Sequence, residues 1–212
     1  MQSAVTHATP RTSSSVSAPA DARPLFSRLA THPDVLLSLG VLVVALVPRL
    51  LYLLWAPVFI GGDSAQYFQP VYDLINSGKF TLSLKRPPVY SWLIYASQMT
   101  FGTSFVPLIA FQHLLGAVGA ILTFWIGRLA WGGTPDQPSV TIGRWAGGLA
   151  AVLVALSSPT LRWEHFLMTE GPFAFLFTLV VFLIVLGLRR PGWWPWAAAG
   201  LVLGIAILTR SA

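Results

Sequence analysis

Five long apolar segments constrain this chain more than any other feature of its sequence. They cover residues 35–55, 105–129, 145–161, 172–188 and 195–208. A hydrocarbon core about 30 Å thick needs about 20 apolar helical residues, so the longer segments can cross a bilayer, while the third and fifth are short. Backbone polar groups in lipid must bond within the chain, which favours helices. The predicted fold class is an all-α, polytopic bundle of about five transmembrane helices.

The composition agrees with a membrane protein and argues against other classes. Hydrophobic residues make up 55% and charged residues only 9% of the 212 residues, whereas soluble domains carry about 25% charged residues. The net charge of +6 comes from Lys and Arg scattered over loops, which does not indicate nucleic-acid binding. The chain has no cysteine, so disulfides and thiol-based metal or nucleophilic sites are excluded.

The N-terminal region differs from the rest of the chain. Residues 1–33 are rich in Ser, Thr, Ala and Pro, which predicts a disordered tail before a transmembrane module at 34–212. The first apolar segment starts too late for a cleavable signal peptide and is therefore interpreted as an uncleaved anchor. Lys and Arg are slightly more numerous in the N-terminal region and the loops predicted to share its side of the membrane than in the loops on the other side. This predicts a cytoplasmic N-terminus in the plasma (inner) membrane.

The loop at 56–104 is predicted to be extracytoplasmic and to contain two helices. Apolar residues recur at helical spacing over 64–77, which predicts an amphipathic helix ended by Gly78. A second apolar stretch at 89–101 is too short to span, so it is predicted to lie in the membrane interface. A re-entrant hairpin is the alternative interpretation of this loop.

Small residues at helical spacing predict close helix packing. Gly116 and Ala120 form such a step in the second span, and Gly143, Gly147 and Ala151 form another in the third. Small side chains let two helix backbones approach within a membrane.

Two acids stand where the chain leaves the predicted membrane. Asp63 follows the first span and a Gly pair, and Glu170 precedes the fourth span. The predicted topology places both acids on the outer side, where they are expected to face one cavity as general base and as orienting or metal-binding partner. The alternatives are that Asp63 caps the helix beginning at Ser64 and that Glu170 interacts with a helix dipole.

Cations are predicted at the same level as these acids. Lys85, Arg86, Arg162 and Arg210 are candidates for binding a phosphate. The alternative is that they anchor the chain to lipid headgroups.

Other polar residues have less specific interpretations. Arg49 lies within the first span and either snorkels outward, pairs with an acid or belongs to the active site. Glu164 and His165 are interpreted as parts of a solvated loop, and His113 as a hydrogen-bonding residue inside the bundle.

Four short motifs recur in an order that resembles a known family. They are Gly-Asp-Ser-Ala-Gln-Tyr at 62–67, Lys-Arg-Pro-Pro-Val-Tyr at 85–90, Thr-Glu-Gly-Pro-Phe at 169–173 and Leu-Thr-Arg at 208–210. The chain resembles the GT-C glycosyltransferases, in the branch related to protein mannosyltransferases and lipid A aminoarabinose transferases. The resemblance implies transfer of a sugar, usually with inversion, from a polyprenyl-phosphate carrier to an acceptor outside the cytoplasm.

The resemblance also implies roles for individual residues. Asp63 matches the essential acid of the first outer loop, Glu170 a second acidic position, and Lys85 or Arg86 a contact to the carrier phosphate. Ser64 stands where several relatives have a second acid. The implied partners are a polyprenyl-phosphate-linked sugar, membrane lipids and a glycan, lipid or protein acceptor. No cofactor is assigned, and the binding of a divalent metal ion is left as an open alternative.

Family members are usually longer and have more spans, so the chain is interpreted as the N-terminal part of such an enzyme. Two other functions are kept as alternatives. One is a transporter or flippase for lipid-linked precursors, and the other is a non-catalytic assembly subunit of the membrane.

Overall fold

The computed structural model describes residues 32–81, 86–131 and 138–210. Within these ranges it contains eight helices. They are α1 (Pro33–Trp55), α2 (Ser64–Ser77), α3 (Pro88–Phe101), α4 (Val106–Trp131), α5 (Pro138–Ala155), α6 (Ser158–His165), α7 (Glu170–Arg189) and α8 (Trp194–Thr209). The described ranges contain no β-strand beyond one bridged pair of residues, so the predicted all-α fold class is confirmed. The predicted tail falls almost wholly outside the described residues.

Four helices are long and apolar enough to cross a membrane. They are α1, α4, α5 and α7, while α8 is equally apolar but has only 16 residues. The first, second, fourth and fifth predicted spans agree with helices to within a few residues.

The third predicted span had the wrong bounds. It was placed at 145–161, but α5 ends at Ala155 and a separate helix, α6, begins at Ser158. Ser157 has an extended backbone at the N-cap position of α6, and Pro159 follows in its first turn. Proline has no N–H to continue the α5 hydrogen-bond ladder, so the chain leaves α5 and starts a new helix.

The small residues of α4 and α5 bring their backbones together. A methyl group added at Gly147 would lie 2.4 Å from the carbonyl oxygen of Phe124, and one added at Gly127 would lie 2.5 Å from Gly147 Cα. Ala120 and Ala151 are fully buried in the adjoining core. The predicted close contact through Gly147 and Ala151 is confirmed. The core beside it also takes in Ala45 from α1.

The loop after α1 contains both predicted helices. α2 has the predicted bounds, and Gly78 ends it with a φ of +70°, a conformation that glycine adopts without strain. α2 and α3 pack on each other through Tyr67, Val71, Tyr90 and Ile94, which are buried.

The two ends of the bundle are distinct. What we call the loop end comprises α2, α3, α6 and the segments 56–63 and 166–170. At the far end, Asp34, Arg128 and Arg144 join the start of α1 to α4 and α5.

Candidate functional site

Asp63 lies directly before α2 and forms an ion pair with Arg86. Asp63 Oδ2 lies 2.8 Å from Arg86 Nη2, and about half of the aspartate side chain is exposed, at 50%. Asp63 occupies the N-cap position of α2, as the helix-cap alternative expects, but its side chain makes no capping hydrogen bond to the helix backbone. Its carboxylate is therefore held by a cation and faces solvent.

Arg86 is fixed by three groups at the start of α2. Besides Asp63, its Nε donates to Gln66 Oε1 at 2.9 Å, and its guanidinium lies 5.3 Å from the centre of the Tyr67 ring. Burial acts to lower the pKa of Arg86, but the hydrogen bond and charge of Asp63, with Tyr67, outweigh it and raise that pKa. Arg86 is consequently a permanent cation beside Asp63.

Glu170 begins α7 and faces Arg210 at the end of α8. Glu170 Oε1 lies 3.8 Å from Arg210 Nη2, and the Arg210 guanidinium lies 5.7 Å from the centre of the Phe173 ring. Glu170 Oε2 is buried and has no hydrogen-bond partner among the described residues. Both side chains line a groove of about 450 Å³ beside α4, α6 and α7, which Trp163 and Phe173 also line.

The two acids lie at the same end of the bundle without touching. Tyr67, which lies under Arg86, has its hydroxyl 3.3 Å from Thr169 Oγ1, and Thr169 directly precedes Glu170. The described contacts thus lead from Asp63 through Arg86, Tyr67 and Thr169 to the start of α7.

The other candidate cations are placed less centrally. Arg162 lies at the loop end over the Phe166 ring, 5.8 Å from its centre. Lys85 is outside the described residues. A further polar group lies close by: Tyr90 donates to Gln112 Oε1 at 2.6 Å, and burial, followed by the charge of Glu170, raises the pKa of Tyr90 well above its usual value. Tyr90 is therefore a neutral hydrogen-bond donor.

The prediction that Glu164 and His165 belong to a solvated loop is wrong. Both lie in α6 and are only 1% exposed. Glu164 Oε1 lies 2.7 Å from Arg49 Nη2, and Glu164 Oε2 lies 3.1 Å from His113 Nδ1. Arg49 is costly in lipid without a counter-charge, and Glu164 supplies it. The acid-pairing alternative for Arg49 is thereby confirmed, as is the hydrogen-bonding role of His113.

We call Arg49, Gln112, His113, Glu164 and His165 the buried polar cluster. Its two imidazoles are in direct contact, with His113 Nε2 2.9 Å from His165 Nδ1. His165 Nε2 lies 3.0 Å from the Pro57 carbonyl oxygen. Carboxylates and carbonyls only accept, so His113 Nδ1 donates to Glu164 and His165 Nε2 donates to Pro57.

Gly116 makes room for this cluster. A methyl group added there would lie 1.9 Å from Glu164 Oε1. The small-residue pattern predicts helix packing at Gly116, but its open side holds a carboxylate. An arginine within an apolar span was the signal for a buried acid elsewhere in the chain, although it also allowed snorkelling toward the interface.

The buried polar cluster holds two backbone segments side by side. Phe59 N donates to the His165 carbonyl at 3.3 Å, and Leu167 N donates to the Phe59 carbonyl at 2.9 Å. Gln112 Nε2 donates to the carbonyls of Glu164 and Phe166, each at 2.8 Å. Residues 57–59 and 165–167 therefore run together below the candidate site.

Comparison with known proteins fixes the family. A family model described as dolichyl-phosphate-mannose-protein mannosyltransferase matches residues 85–212, which is more than half of the chain. The chain belongs to the dolichyl-phosphate-mannose-protein mannosyltransferase family. It is thus a multi-pass membrane protein of the GT-C glycosyltransferase type, and the resemblance inferred from the motifs is confirmed. The searches of curated proteins and of solved structures returned no match.

The mannosyltransferase match covers only part of the candidate site. Arg86, Glu164, Glu170 and Arg210 lie within the matched residues, whereas Asp63 precedes them. The assignment of Asp63 depends on its motif and on its contact with Arg86.

In this family member, the described ranges contain no group of three or more His, Cys, Asp or Glu side chains that could hold a metal ion. Among the cluster residues, the Glu164 carboxylate is already occupied by Arg49 and His113.

Proposed function

We propose that this protein moves a sugar from a polyprenyl-phosphate carrier to an acceptor outside the cytoplasm, with inversion. One observation carries the proposal: the Asp63 carboxylate is held 2.8 Å from Arg86, at the same end of the bundle as Glu170 and Arg210. A site with acids for proton transfer and cations for a phosphate suits a lipid phosphate whose tail lies in the bilayer.

Asp63 is the proposed general base. Its carboxylate takes the proton of an acceptor hydroxyl or amine, and the freed lone pair attacks the anomeric carbon of the donor sugar. The bond between that carbon and the phosphate oxygen breaks, and its electrons leave with the polyprenyl phosphate. Attack opposite to the leaving group inverts the anomeric centre. A positioned base contributes about 10²–10⁴-fold to the rate.

Arg86 links donor binding to activation of the base. A guanidinium binds a phosphate through the same N–H groups that now face Asp63 and Gln66. A donor phosphate that takes over Arg86 leaves the Asp63 carboxylate free to accept a proton. Arg210, Arg162 and Lys85 are the further proposed phosphate ligands, since the first two lie at this end of the bundle and Lys85 precedes Arg86.

Glu170 is the proposed second carboxylate of the site. Its Oε2 is buried and lacks a partner among the described residues, and a buried polar atom of this kind normally has one. A hydroxyl group of the sugar or acceptor would donate to it from the groove that Glu170 lines. A divalent metal ion bound by Glu170 stays the alternative.

The proposed orientation follows from the same assignment. The loop end faces outward from the plasma (inner) membrane, and the tail at 1–33 is cytoplasmic. The transmembrane module comprises residues 34–212. The distribution of Lys and Arg over the loops supports this orientation.

Asp63→Asn tests the proposal. In membranes containing the full chain and a polyprenyl-phosphate-linked sugar, this variant is expected to lose about 10²–10⁴-fold in transfer rate while inserting and folding normally. Asp73→Asn is the matched control, because Asp73 lies in α2, the helix that Asp63 precedes, but binds Gln69 and Thr81.

Transfer that continues undiminished in Asp63→Asn contradicts the assignment of the base. Movement of the carrier-linked sugar across vesicles without transfer would favour the transporter alternative.

A further inference from the structure

We infer that the buried polar cluster positions the Asp63 loop against the start of α7, and that Arg49, His113, Glu164 and His165 are positioning residues. The inference rests on the proposed function, because it assigns these residues a role relative to Asp63 and Glu170. Glu164 also borders the groove, but Arg49 and His113 already occupy both of its carboxylate oxygens. We therefore assign none of the four to substrate contact.

Arg49 is the fixed point of the arrangement. Its Nη1 donates to the carbonyl of Ala45 at 2.8 Å within α1 and to that of Ala155 at 3.1 Å at the end of α5. Its Nη2 donates to Glu164 in α6. One side chain thus holds α6 in a set position relative to two spanning helices.

The two histidines carry this constraint to the loop. His113 lies between Glu164 and His165, and His165 reaches the backbone carbonyls of Ala56 and Pro57, which directly follow α1. The loop is therefore fastened at its first two residues by a chain of contacts that begins at Arg49.

The fastened segments lead directly to the two acids. Phe59 and Phe166 form a parallel bridge, and their ring centres are 5.2 Å apart. Asp63 lies four positions after Phe59, and Glu170 lies four positions after Phe166. A bridge that keeps one register therefore limits the distance between the two carboxylates. This distance can vary only as far as the short segments from Phe59 to Asp63 and from Phe166 to Glu170 allow.

Disulfide formation can report the bridge without any measurement of activity. The chain has no cysteine, so the pair Phe59→Cys and Phe166→Cys would be its only thiols. Bridged backbones lie about 4.7–4.9 Å apart, within the Cα separation of about 4.4–6.8 Å that a disulfide needs. We expect rapid cross-linking under mild oxidation in membranes that contain this pair.

Arg49→Met/Glu164→Met is the test background. Removing both charges leaves neither Arg49 nor Glu164 unpaired, and His113 keeps its contact with His165 while it loses the one with Glu164. Buried ion pairs replaced by apolar residues of similar volume commonly keep a protein folded. Asp34→Asn is the matched control, because it removes an acid that binds two arginines at the far end. Heat-induced unfolding in detergent checks that both backgrounds are folded.

We expect cross-linking to be at least about tenfold slower in the double variant and unchanged in Asp34→Asn, a difference of about 1.4 kcal/mol in activation free energy. Without the added cysteines, the double variant is expected to lower kcat with little change in the KM for the donor. Asp34→Asn is expected to change neither constant.

Equal cross-linking rates in the double variant and the parent would overturn the inference, whatever the activity. Slower cross-linking in the double variant together with full activity in Asp63→Asn would support the positioning role and contradict the proposed catalysis. The two proposals thus fail on different measurements.

Discussion

Each end of the bundle has an acid that pairs with nitrogen-bearing side chains, and the two groups join different parts of the molecule. At the far end, Asp34 Oδ2 lies 3.1 Å from Arg128 Nε, and Asp34 Oδ1 lies 2.5 Å from Arg144 Nε. These arginine side chains are 13% and 18% exposed. At the loop end, Glu164 and its partners Arg49 and His113 are at most 2% exposed.

The difference in attachment indicates a difference in role. The Asp34 group joins three spanning helices to one another, and its other described contact is with His32, which directly precedes α1. The buried polar cluster joins spanning helices to the backbone that precedes Asp63. The first group holds the bundle together, and the second sets the geometry of the site. Four experiments test this comparison, beginning with the largest expected effect.

Arg49→Met alone is expected to lower the free energy of unfolding by about 3–5 kcal/mol, because it leaves Glu164 as a buried acid without its guanidinium partner. Heat- or denaturant-induced unfolding in detergent, followed by circular dichroism, measures the loss. The double variant with Glu164→Met should recover most of it. A single variant as stable as the parent would show that the ion pair does not support the fold.

Gly116→Ala is expected to cost about 1–3 kcal/mol of unfolding free energy, since Glu164 would have to move away from the added methyl group and from Arg49. Gly148→Ala is the control, because nothing lies within 4 Å of a methyl group there. Alanine favours a helix over glycine by up to about 1 kcal/mol, so the control should be slightly more stable. The same unfolding measurement tests both variants, and equal losses would refute the steric argument.

Asp34→Asn is expected to lower the free energy of unfolding by about 1–2 kcal/mol, which is less than the loss from Arg49→Met. Like that variant, it breaks ion pairs, because it removes a carboxylate from two cations. Arg128 and Arg144 are partly exposed and can turn toward water or lipid headgroups when the charge is lost. Transfer activity should stay at the parent level. A loss of activity at constant stability would mean that the far end also controls the site.

The smallest expected effect is a loss of stability in acid through His165. Burial, followed by the charge of His113, lowers the pKa of His165 in the folded protein. Below about pH 6.5 the unfolded chain then binds more protons than the folded one, so stability falls as the pH decreases through this window. Unfolding measured against pH should show this slope, and His165→Gln should reduce it. An unchanged slope would assign the effect to another group.

The sequence predicted the parts of the fold that depend on local patterns. The bounds of α2 followed from helical spacing and from Gly78, which ends the helix with a positive φ. The end of α5 was placed wrongly, because apolar residues continue past Ala155 while Ser157 and Pro159 already start α6.

The buried polar cluster depends on contacts between distant residues, and only half of it was predicted. Acid pairing was one of the interpretations of Arg49 in an apolar span, but nothing local to Glu164 distinguishes it from a loop residue. Its burial results from Gly116, which lies on another helix and offers an open side. The pairing of Asp63 with Arg86 was likewise not predicted, because 23 positions separate the two residues and α2 brings them together.

The pairing of Arg49 with Glu164 has a consequence for biogenesis. The two residues are 115 positions apart, so at 5–20 residues per second the ribosome adds Glu164 on the order of ten seconds after Arg49. During this interval the nascent first helix carries a cation without its counter-ion, at a cost of about 2.5–3.5 kcal/mol near the bilayer centre. The early helices therefore stay incompletely assembled until the segment that bears Glu164 has been synthesised and has packed against α1.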